Sequence, residues 1–452
     1  MKARVSVILP SLNVADYIRE CMDSVTNQSL QELEMICVDA GSSDGTREIL
    51  EEYAQKDSRI VILDSHIKSY GRQVNMGLDY AGGEYVAVVE TDDWIAQDMY
   101  RCLYDRAISD RLDYAAADFD TFYQLQSGCS YFSRHYLFHA ERRKWYGTVI
   151  GPDQTAVLRA DDYVLWRGIY NREFLNRNHI RLHESPGAAF QDMGFLQQVK
   201  NYARRVEYID SSFYRYRQGR ADASSGCLEG LRYYQEEFRW LNDRKEFTGS
   251  LNEYHRKYYY YTMSISFLTK YEQILFILGG NWQDERLSCP YVWFKSMLSG
   301  LVLNGFLEAS MYEEALWERM VLLLESQEAH ACLAMQLEKR KEEQVQALIQ
   351  MTGRRPVIIF GCGRRGERLM LFCDRNHFCM DSFCDNDPLL HGKKKFGFPV
   401  IAPEELKCRV HEKDGVILLS MKKGTNEVRS QLIGLGIGPD RIIDKIPEGI
   451  LS

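Results

Sequence analysis

A chain of 452 residues is too long for one typical hydrophobic core, so two or three domains are expected. Its 45% hydrophobic and 27% charged residues are typical of a globular protein and exclude a disordered one. The net charge of −8 argues against a nucleic-acid-binding protein, and none of the twelve cysteines forms the CxxC pair of a zinc or disulfide framework.

The sequence also bears on location. No stretch of about 20 residues is both apolar and free of charge, so we expect no membrane-spanning segment. Scattered cysteines favour reduced thiols and therefore a cytoplasmic protein. The sequence leaves open both peripheral contact with the inner face of the membrane and the formation of a homodimer.

The first hundred residues alternate between apolar runs and helical patterns. The runs at 5–9, 33–38, 60–63 and 86–89 predict strands, and the segments between them carry apolar residues at helical spacing. This order predicts an α/β domain with a mostly parallel sheet and helices on both of its faces.

Polar residues collect where these apolar runs end. Asp39 follows the second run, and the acidic segment (residues 90–93) follows the fourth. Ligands of open α/β sheets bind beyond the carboxyl ends of strands, where carboxylates can hold a divalent cation or accept hydrogen bonds from a nucleoside. The alternatives are an acidic loop after an ordinary strand and, for Ser42, a capping or turn residue.

Three motifs in this order resemble glycosyltransferase family 2 with the GT-A fold: VSVILPSLN from residue 5, VDAGSSDGT from residue 38 and GEYVAVVETDDW from residue 83. The resemblance is strong over about the first 100 residues and continues to about residue 225. It implies a nucleotide-sugar donor, with a UDP-sugar favoured, an Mn²⁺ or Mg²⁺ ion, and inversion at the anomeric carbon.

The resemblance also implies roles for particular residues. Asp92 would bind the metal, while Glu90 stands where the family usually has aspartate and could instead contact ribose or a metal-bound water. The family's usual Ala-Arg-Asn is Gln-Val-Asn here. Arg72 or Gln73 could therefore replace the missing arginine in contact with the nucleotide base. The expected donor-binding residues are Pro10, Leu12, Asn13, Asp39, Ser42, Arg72, Gln73, Asn75, Glu90 and Thr91.

The region from 100 to 227 is expected to supply the acceptor side. Residues 112–117 predict another strand, and residues 127–145 predict a flexible loop near the acceptor. Gln191-Asp192 resembles the acidic pair that opens a helix in the family, which implies that Asp192 is the catalytic base; an ordinary helix N-cap is the alternative. The residues assigned to the acceptor or phosphate side are Asp93, Trp166, Gln191, Arg215 and Arg217.

The two arginines of that set have a second explanation. Arg215 and Arg217 alternate with tyrosines, and they could clamp phosphate oxygens. A solvent-facing edge strand explains the same alternation equally well.

The rest of the chain divides into two further parts. Helical patterns replace strands in residues 228–353, so the chain is expected to consist of a GT-A domain (1–227), a helical domain or linker (228–353) and a Rossmann-like domain (354–452). The helical part would pack on the transferase domain, shape the acceptor site or mediate dimerisation.

The last part contains a GxGxxG run after an apolar stretch. Gly361, Gly363 and Gly366 precede a helical pattern, and Asp385 ends the next apolar run. This is the outline of a dinucleotide-binding site, in which a helix N-terminus meets phosphate and an acid meets ribose. A vestigial or regulatory nucleotide site and a packing or oligomerisation module both remain as interpretations.

The sequence therefore predicts a metal-dependent inverting glycosyltransferase. It would move a sugar to a hydroxyl of a glycan or lipid-linked glycan during synthesis of a bacterial surface or secreted polysaccharide. The alternatives are an NAD(P)-dependent oxidoreductase or epimerase that uses the second glycine loop, and a catalytically silent scaffold. The main prediction requires Asp39, Asp92 and Asp192 to converge on one cleft.

Overall fold

The computed structural model describes residues 2–126, 128–152, 154, 163–218 and 227–451. These residues group into two compact units: a first unit of Met1–Phe122 and Phe132–Ala331, and a second unit of Tyr123–Tyr131 and Cys332–Ser452. The expected domain boundaries at 227 and 353 stay a prediction.

The first unit begins with the expected parallel sheet. Its strands run in the order β3-β2-β1-β4, and residues of β1 alternate between two hydrophobic cores, with Val7 in one and Ile8 in the other. Both faces are therefore covered, which explains the continuous apolar runs in the sequence. The elements are β1 (Val5–Ser11), α1 (Ile18–Thr26), β2 (Leu33–Asp39), α2 (Thr46–Lys56), β3 (Ile60–Asp64), α3 (Tyr70–Tyr80) and β4 (Tyr85–Val88).

The sheet continues with strands of mixed direction. Its order extends as β4-β8-β6-β9-β5, with β7 paired to β6, and β8 runs antiparallel to both β4 and β6. The predicted strand at 112–117 is confirmed for residues 114–117, the start of β6, whereas the predicted loop at 127–145 is wrong for residues 130–135, which form β7. The elements are β5 (Trp94–Ile95), α4 (Met99–Asp110), β6 (Tyr114–Gln124), β7 (Ser130–His135), β8 (Gly168–Asn171), α5 (Arg172–Arg177), α6 (Gln191–Tyr202) and β9 (Val206–Arg217).

A helical region follows, as predicted. In this region α7 packs against α9 and α10 and also against α6, so these helices belong to the first unit, whereas most of α12 lies in the second unit. In the described part of the chain, no helix combines the length and the apolar character that crossing a bilayer requires. The helices are α7 (Gly230–Asp243), α8 (Lys245–Ser250), α9 (Glu253–Ile277), α10 (Glu285–Leu303), α11 (Glu314–Glu325) and α12 (Gln327–Thr352).

The second unit contains a smaller sheet in the order β12-β13-β11-β10-β14-β15. Neighbouring strands are parallel except for the β12–β13 pair, and two buried clusters cover the two faces. The predicted fold class, an α/β domain with a helical region and a smaller second sheet, is thereby confirmed. The elements are β10 (Val357–Phe360), α13 (Arg364–Arg375), β11 (Met380–Cys384), β12 (Lys394–Lys395), β13 (Phe398–Ile401), α14 (Leu406–Lys413), β14 (Val416–Leu419), α15 (Thr425–Gly434), β15 (Ile442–Ile443) and α16 (Glu448–Leu451).

Candidate active site

The polar strand ends meet at one edge of the first sheet. Ser11 at the end of β1 pairs in register with Asp39 at the end of β2, and β4 runs parallel to β1 on its other side. The chain leaves β4 at this edge and enters the acidic segment (residues 90–93), where Thr91 Oγ1 donates a hydrogen bond to Pro10 O (2.9 Å). Residues that are up to 81 positions apart in the chain are thus neighbours because three parallel strands end together.

Asp39 organises the loops that follow β1 and β2. Its buried carboxylate accepts hydrogen bonds from Gly41 N (3.3 Å) and from Ser42 Oγ (2.5 Å). Asn13 N donates to Ser42 Oγ (3.0 Å), and Ser43 N donates to Asn13 Oδ1 (2.9 Å). The three residues expected at the nucleoside, Asn13, Asp39 and Ser42, therefore form one hydrogen-bonded cluster.

Gln73 of α3 holds the ends of β1 and β2 together. Its buried side chain donates from Nε2 to Ser11 O (2.9 Å) and to Val38 O (2.6 Å). Leu12 comes next in the chain after Ser11 and is half-buried. Gln73 thereby fixes the backbone that carries Leu12. A direct contact of Leu12 or Gln73 with the donor nucleotide stays a prediction.

Arg72 and Asn75 bind the segment that leads towards α6. Arg72 Nη1 lies 3.4 Å from Glu184 Oε1, and Asn75 Nδ2 donates to that same atom (3.0 Å) and to Leu182 O (2.9 Å). Leu182 N returns a hydrogen bond to Asn75 Oδ1 (3.0 Å). Both side chains have protein partners here, and their contacts with the donor nucleotide stay predictions.

Asp93 is fixed by the fold. It is 1% exposed, and it accepts hydrogen bonds from Tyr214 Oη (2.9 Å) and Arg217 N (2.7 Å). Burial, together with the charge of Asp92, raises the pKa of Asp93 well above its usual range. Asp93 therefore anchors the acidic segment to β9.

Glu90 faces two other carboxylates. Tyr70 Oη donates a hydrogen bond to Glu90 Oε1. Burial raises the pKa of Glu90 to about 8, and the negative charges of Asp92 and Asp192 contribute to that rise. Since charges act strongly only over short distances in a protein, Asp192 lies near the acidic segment although it is about 100 residues further along the chain.

Asp192 lies in the first turn of α6. The residue before the helix, Phe190, has a left-handed backbone conformation with φ of 70°, which turns the chain sharply into α6. Burial raises the pKa of Asp192 to about 6, although a hydrogen bond from Met193 N to its Oδ1 (2.9 Å) opposes the rise. A carboxyl group with this pKa can accept a proton near neutral pH.

The segment before α6 docks on the start of α3. Gly187 N donates to Lys68 O (2.9 Å), and Tyr70 N donates to Gly187 O (2.9 Å). Tyr70 also bonds Glu90, so this docking carries the start of α6 to the acidic segment. Gln191, which is 1% exposed, stabilises the turn by donating from Nε2 to Ser185 Oγ (2.9 Å).

Three aromatic rings pack beside the acids. Trp166 stacks on Tyr214 with ring centroids 4.0 Å apart and on Tyr216 at 5.4 Å. Burial raises the pKa of Tyr216 to about 12, and the charges of Asp93, Asp92, Glu90 and Asp192 add to the rise. Tyr216 therefore lies near all four carboxylates.

The two arginines of β9 have different surroundings. Arg217 Nε donates to Asp92 O (3.0 Å), and its guanidinium pairs with Glu20 and lies 4.7 Å from the centre of the Trp94 ring. Arg215 pairs with Asp120 (2.8 Å). Of the two, Arg217 contacts the acidic segment directly.

Sequence reasoning missed several members of this site. Tyr70 and Tyr216 approach the acids only through tertiary packing, and no motif marks them.

Glu237 of α7 is a third case. It is buried, its Oε2 lies 3.2 Å from His183 Nδ1, and its Oε1 occupies the space that a Cβ on Gly194 would need. Burial raises the pKa of Glu237 to about 7, with a contribution from the charge of Asp192. Gly194 in the first half of α6 was the only sequence signal of such a close approach.

The acids of the site suit a hard divalent cation. Within the described ranges, no three His, Cys, Asp or Glu side chains group into a metal site of their own. Carboxylate oxygens are nevertheless the ligands that Mg²⁺ and Mn²⁺ prefer, with phosphate and water completing the shell. Burial is the main reason that the pKa of Glu90 is raised, and the charges of Asp92 and Asp192 add to the rise; a cation bound beside these groups would favour their charged forms.

In the second unit, the glycine loop has its own partners. Gly361 has φ of 105°, and a Cβ on Gly366 would clash with Gly361 O, so both positions require glycine, whereas Gly363 has open space around it. Asp385 accepts hydrogen bonds from Cys362 N (2.7 Å) and Asp387 N (3.0 Å). Asp385 thus supports the loop itself, and nucleotide binding there stays a prediction.

Comparison with known proteins finds a family match in the N-terminal part of the first unit. Residues 6–165 match the model of the family described as Glycosyl transferase family 2. An uncharacterized glycosyltransferase of Escherichia coli strain K12, YibD, is 31% identical over 218 residues, which cover 47% of this chain and 61% of that protein. The cholesterol galactosyltransferase of Borreliella burgdorferi is 27% identical over 298 residues, which cover 64% of this chain and 80% of that protein.

A solved structure has the same fold. The structure of Staphylococcus aureus TarS 1-349 in complex with UDP-GlcNAc has a TM-score of 0.51 at 16% identity and covers 75% of this chain and 92% of that one. The chain spans 61%, 30% and 61% of the length of three of the curated relatives that it matches. The match to glycosyltransferase family 2 therefore spans residues 6–165, and the curated proteins to which the chain is similar include glycosyltransferases.

Proposed function

We propose that this protein transfers a sugar from a nucleotide-diphosphate sugar to an acceptor hydroxyl, with inversion at the anomeric carbon. The observation that carries the proposal is that the segment before α6 docks on Tyr70, which bonds Glu90, and that the charge of Asp192 contributes, after burial, to the raised pKa of Glu90. An inverting transferase needs this pairing of a base with a diphosphate-binding acid, because the acceptor must be deprotonated opposite the leaving group. The family match over 6–165 supports it.

The donor would lie at the edge where β1, β2 and β4 end. The cluster of Asn13, Asp39 and Ser42 would seat the nucleoside, and Pro10, Leu12 and Thr91 would line the approach to the diphosphate. A UDP-sugar is the first donor to test, since the S. aureus protein of the same fold was solved with UDP-GlcNAc.

Asp92 would hold an Mn²⁺ or Mg²⁺ ion, and Glu90, whose pKa is raised mainly by burial and further by the charge of Asp92, would be the second residue to contact the ion or a water bound to it. Such a cation, when bound, neutralises the charge of a diphosphate leaving group. The protein's own residues prepare the site: Asp93 and Arg217 N fix the acidic segment, and Tyr70 orients Glu90.

Asp192 would remove the proton from the acceptor hydroxyl as that oxygen attacks the anomeric carbon. Its pKa of about 6 leaves it charged at neutral pH and still basic enough to accept a proton. The acceptor would be a glycan or a lipid-linked glycan of a bacterial surface or secreted polysaccharide. The relative that aligns over 298 residues is named for an apolar acceptor, cholesterol.

A melting-temperature screen tests the proposal. The full chain is heated with UDP-, GDP-, dTDP- and CMP-sugars, with and without Mn²⁺. A ligand that binds only the folded protein raises the melting temperature, and a hundredfold excess over Kd stabilises by about 2.7 kcal/mol. We expect one nucleotide class to stand out in the presence of Mn²⁺. A response to NAD⁺ or NADP⁺ instead would favour the oxidoreductase alternative, and no response to any of them would favour a silent scaffold.

A further inference from the structure

Tyr216 of β9 is the most exposed ring of an aromatic stack beside the acidic segment (residues 90–93). Trp166 stacks on Tyr214 and on Tyr216, with ring centroids 4.0 Å and 5.4 Å apart and interplanar angles of 19° and 25°. The exposed fraction rises from 0% at Tyr214 and 5% at Trp166 to the half-buried Tyr216. Solvent, and therefore a ligand, reaches this stack at the ring of Tyr216.

The chain on both sides of Tyr216 is fixed to the acidic segment. Two residues earlier, Tyr214 Oη donates to Asp93 Oδ2 (2.9 Å). One residue later, Arg217 N donates to Asp93 Oδ1 (2.7 Å) and Arg217 Nε donates to Asp92 O (3.0 Å). Since alternate residues of a strand share a face, Tyr216 projects on the side of β9 from which Tyr214 reaches Asp93. The ring of Tyr216 therefore lies beside the acids expected to hold the cation.

Helix α6, which carries the proposed base, packs on the same aromatic group. The turn Leu165–Arg167 contains Trp166 and contacts both β9 and α6. Burial raises the pKa of Tyr216 to about 12, and the charges of the acidic segment and of Asp192 add to the rise. Tyr216 is therefore near the proposed metal-binding acid and near the proposed base at the same time.

The hydroxyl of Tyr216 is available to a ligand. By contrast, Tyr214 Oη donates to Asp93 and accepts from Glu90 N (3.1 Å), so its hydrogen-bonding capacity is used within the protein. The hydroxyl of Tyr216 is open to solvent, and no group in the described ranges hydrogen-bonds to it. Because its pKa is high, this hydroxyl keeps its proton and is a hydrogen-bond donor at neutral pH.

The position of the transferred sugar follows from the proposed reaction. In an inverting displacement, the anomeric carbon lies between the leaving group and the attacking hydroxyl. The leaving diphosphate would lie at the cation near Asp92, and the attacking hydroxyl would lie at Asp192. A ring that is close to both acids is therefore beside the sugar. A pyranose presents C–H groups, which pack favourably on the negative face of an aromatic ring.

We propose that Tyr216 binds the sugar group of the nucleotide-sugar donor. Its ring would pack on C–H groups of the pyranose, and its hydroxyl would donate a hydrogen bond to a sugar hydroxyl. The cluster around Asp39 and the acidic segment would hold the nucleoside diphosphate, so Tyr216 would contribute to binding of the sugar alone. The inference rests on the proposed transferase function and assigns the residue that positions the transferred sugar in that site.

Calorimetric titration of the full chain with UDP-GlcNAc and with UDP, both in the presence of Mn²⁺, tests this assignment. If the melting-temperature screen selects another nucleotide, its nucleotide sugar and free diphosphate replace this pair. Tyr216→Phe removes only the hydroxyl and should weaken UDP-GlcNAc about threefold to tenfold, the usual effect of one lost hydrogen bond. Tyr216→Leu also removes the ring and should weaken UDP-GlcNAc by about tenfold or more. The affinity for UDP should be unchanged in both variants.

The difference between the two ligands separates sugar binding from a structural role. Tyr80→Phe, the same change at a 47% exposed position at the end of α3, should alter neither affinity. If Tyr216→Leu lacks a cooperative melting transition, Tyr216→Phe, which keeps the ring that stacks on Trp166, decides alone. Equal losses for UDP-GlcNAc and UDP, or wild-type affinity for UDP-GlcNAc in Tyr216→Phe, would overturn the inference.

The two proposals fail in different ways. A wild-type chain that binds no nucleotide sugar would end the transferase proposal, and the role of Tyr216 would fall with it. A wild-type chain that binds a nucleotide sugar with Mn²⁺, together with a Tyr216→Phe variant that binds it equally well, would keep the transferase function and exclude Tyr216 as the sugar contact.

Discussion

Replacement of Asp192 by asparagine tests the proposed base most directly. Asparagine has nearly the same shape, and its side-chain oxygen can still accept the hydrogen bond that Met193 N donates to Oδ1 (2.9 Å). The substitution therefore removes a charge and a basic group while it preserves the start of α6. We expect the turnover number to fall by about 10²–10⁴, the usual contribution of a general base.

The same variant should be more stable than the wild type at neutral pH. The pKa of Asp192 is about 6 in the folded chain against 3.8 for an ordinary aspartate, so the charged form is disfavoured by folding. Two pKa units correspond to about 2.7 kcal/mol, and partial solvent access reduces this to the order of 1–2 kcal/mol. Asp192→Asn should gain this stability above pH 6 and lose the gain progressively between pH 6 and 4, where the wild-type carboxyl also becomes neutral.

The assay measures sugar transfer and melting temperature on one set of samples. The wild-type rate should rise with pH through about 6 and fall to about a tenth of its plateau at pH 5, because only the charged carboxylate accepts a proton. Asp105→Asn, at an exposed position on α4, is the matched control and should change neither quantity. Normal turnover in Asp192→Asn, or a melting temperature below that of the wild type at pH 8, would refute the reasoning.

Three further predictions concern the donor site and α6. Asp92→Asn should abolish the Mn²⁺-dependent rise in melting temperature with the donor while the metal-independent part persists; an unchanged rise would exclude Asp92 as a ligand. Asp39→Ala should weaken UDP binding roughly tenfold in calorimetry, since it removes acceptor oxygens and frees the loop at Ser42; equal affinity would contradict a role at the nucleoside. Gly194→Ala should lower stability by about 1–3 kcal/mol in urea unfolding because its Cβ would collide with Glu237, and Glu237→Ala should restore part of the loss; additive losses would show that the collision is not the cause.

The sequence predicted the part of the fold that depends on local pattern. The apolar runs at 5–9, 33–38 and 86–89 became β1, β2 and β4, and their polar ends met because parallel strands share an edge. It did not predict that β8 would enter between β4 and β6 in the opposite direction, since a strand of four residues carries little pattern. Nor did it find β7 in a polar and aromatic stretch that resembles a loop.

The roles within the acidic segment were harder to predict. Four neighbouring residues carry three carboxylates, and only tertiary contacts separate their tasks. Asp93 is held by Tyr214 and by the backbone of Arg217, from a strand that is more than 120 residues further along the chain. Glu90 is bonded by Tyr70, which in turn bonds the segment before α6. No spacing rule within residues 90–93 contains this information.

These contacts also explain why the acids remain so close together. Glu90, Asp93 and Asp192 each have a raised pKa, so the fold keeps several carboxyl groups where their charged forms are unfavourable. A structural role alone would not require this, because neutral residues of similar shape would pack there at lower cost in free energy. The arrangement is understandable if a cation and a proton occupy the site during the catalytic cycle. The cation would lie near Asp92 and Glu90, and Asp192 would take the acceptor's proton. The stability gain expected for Asp192→Asn and its expected loss of activity thus have the same cause, the loss of a carboxyl group whose pKa is raised.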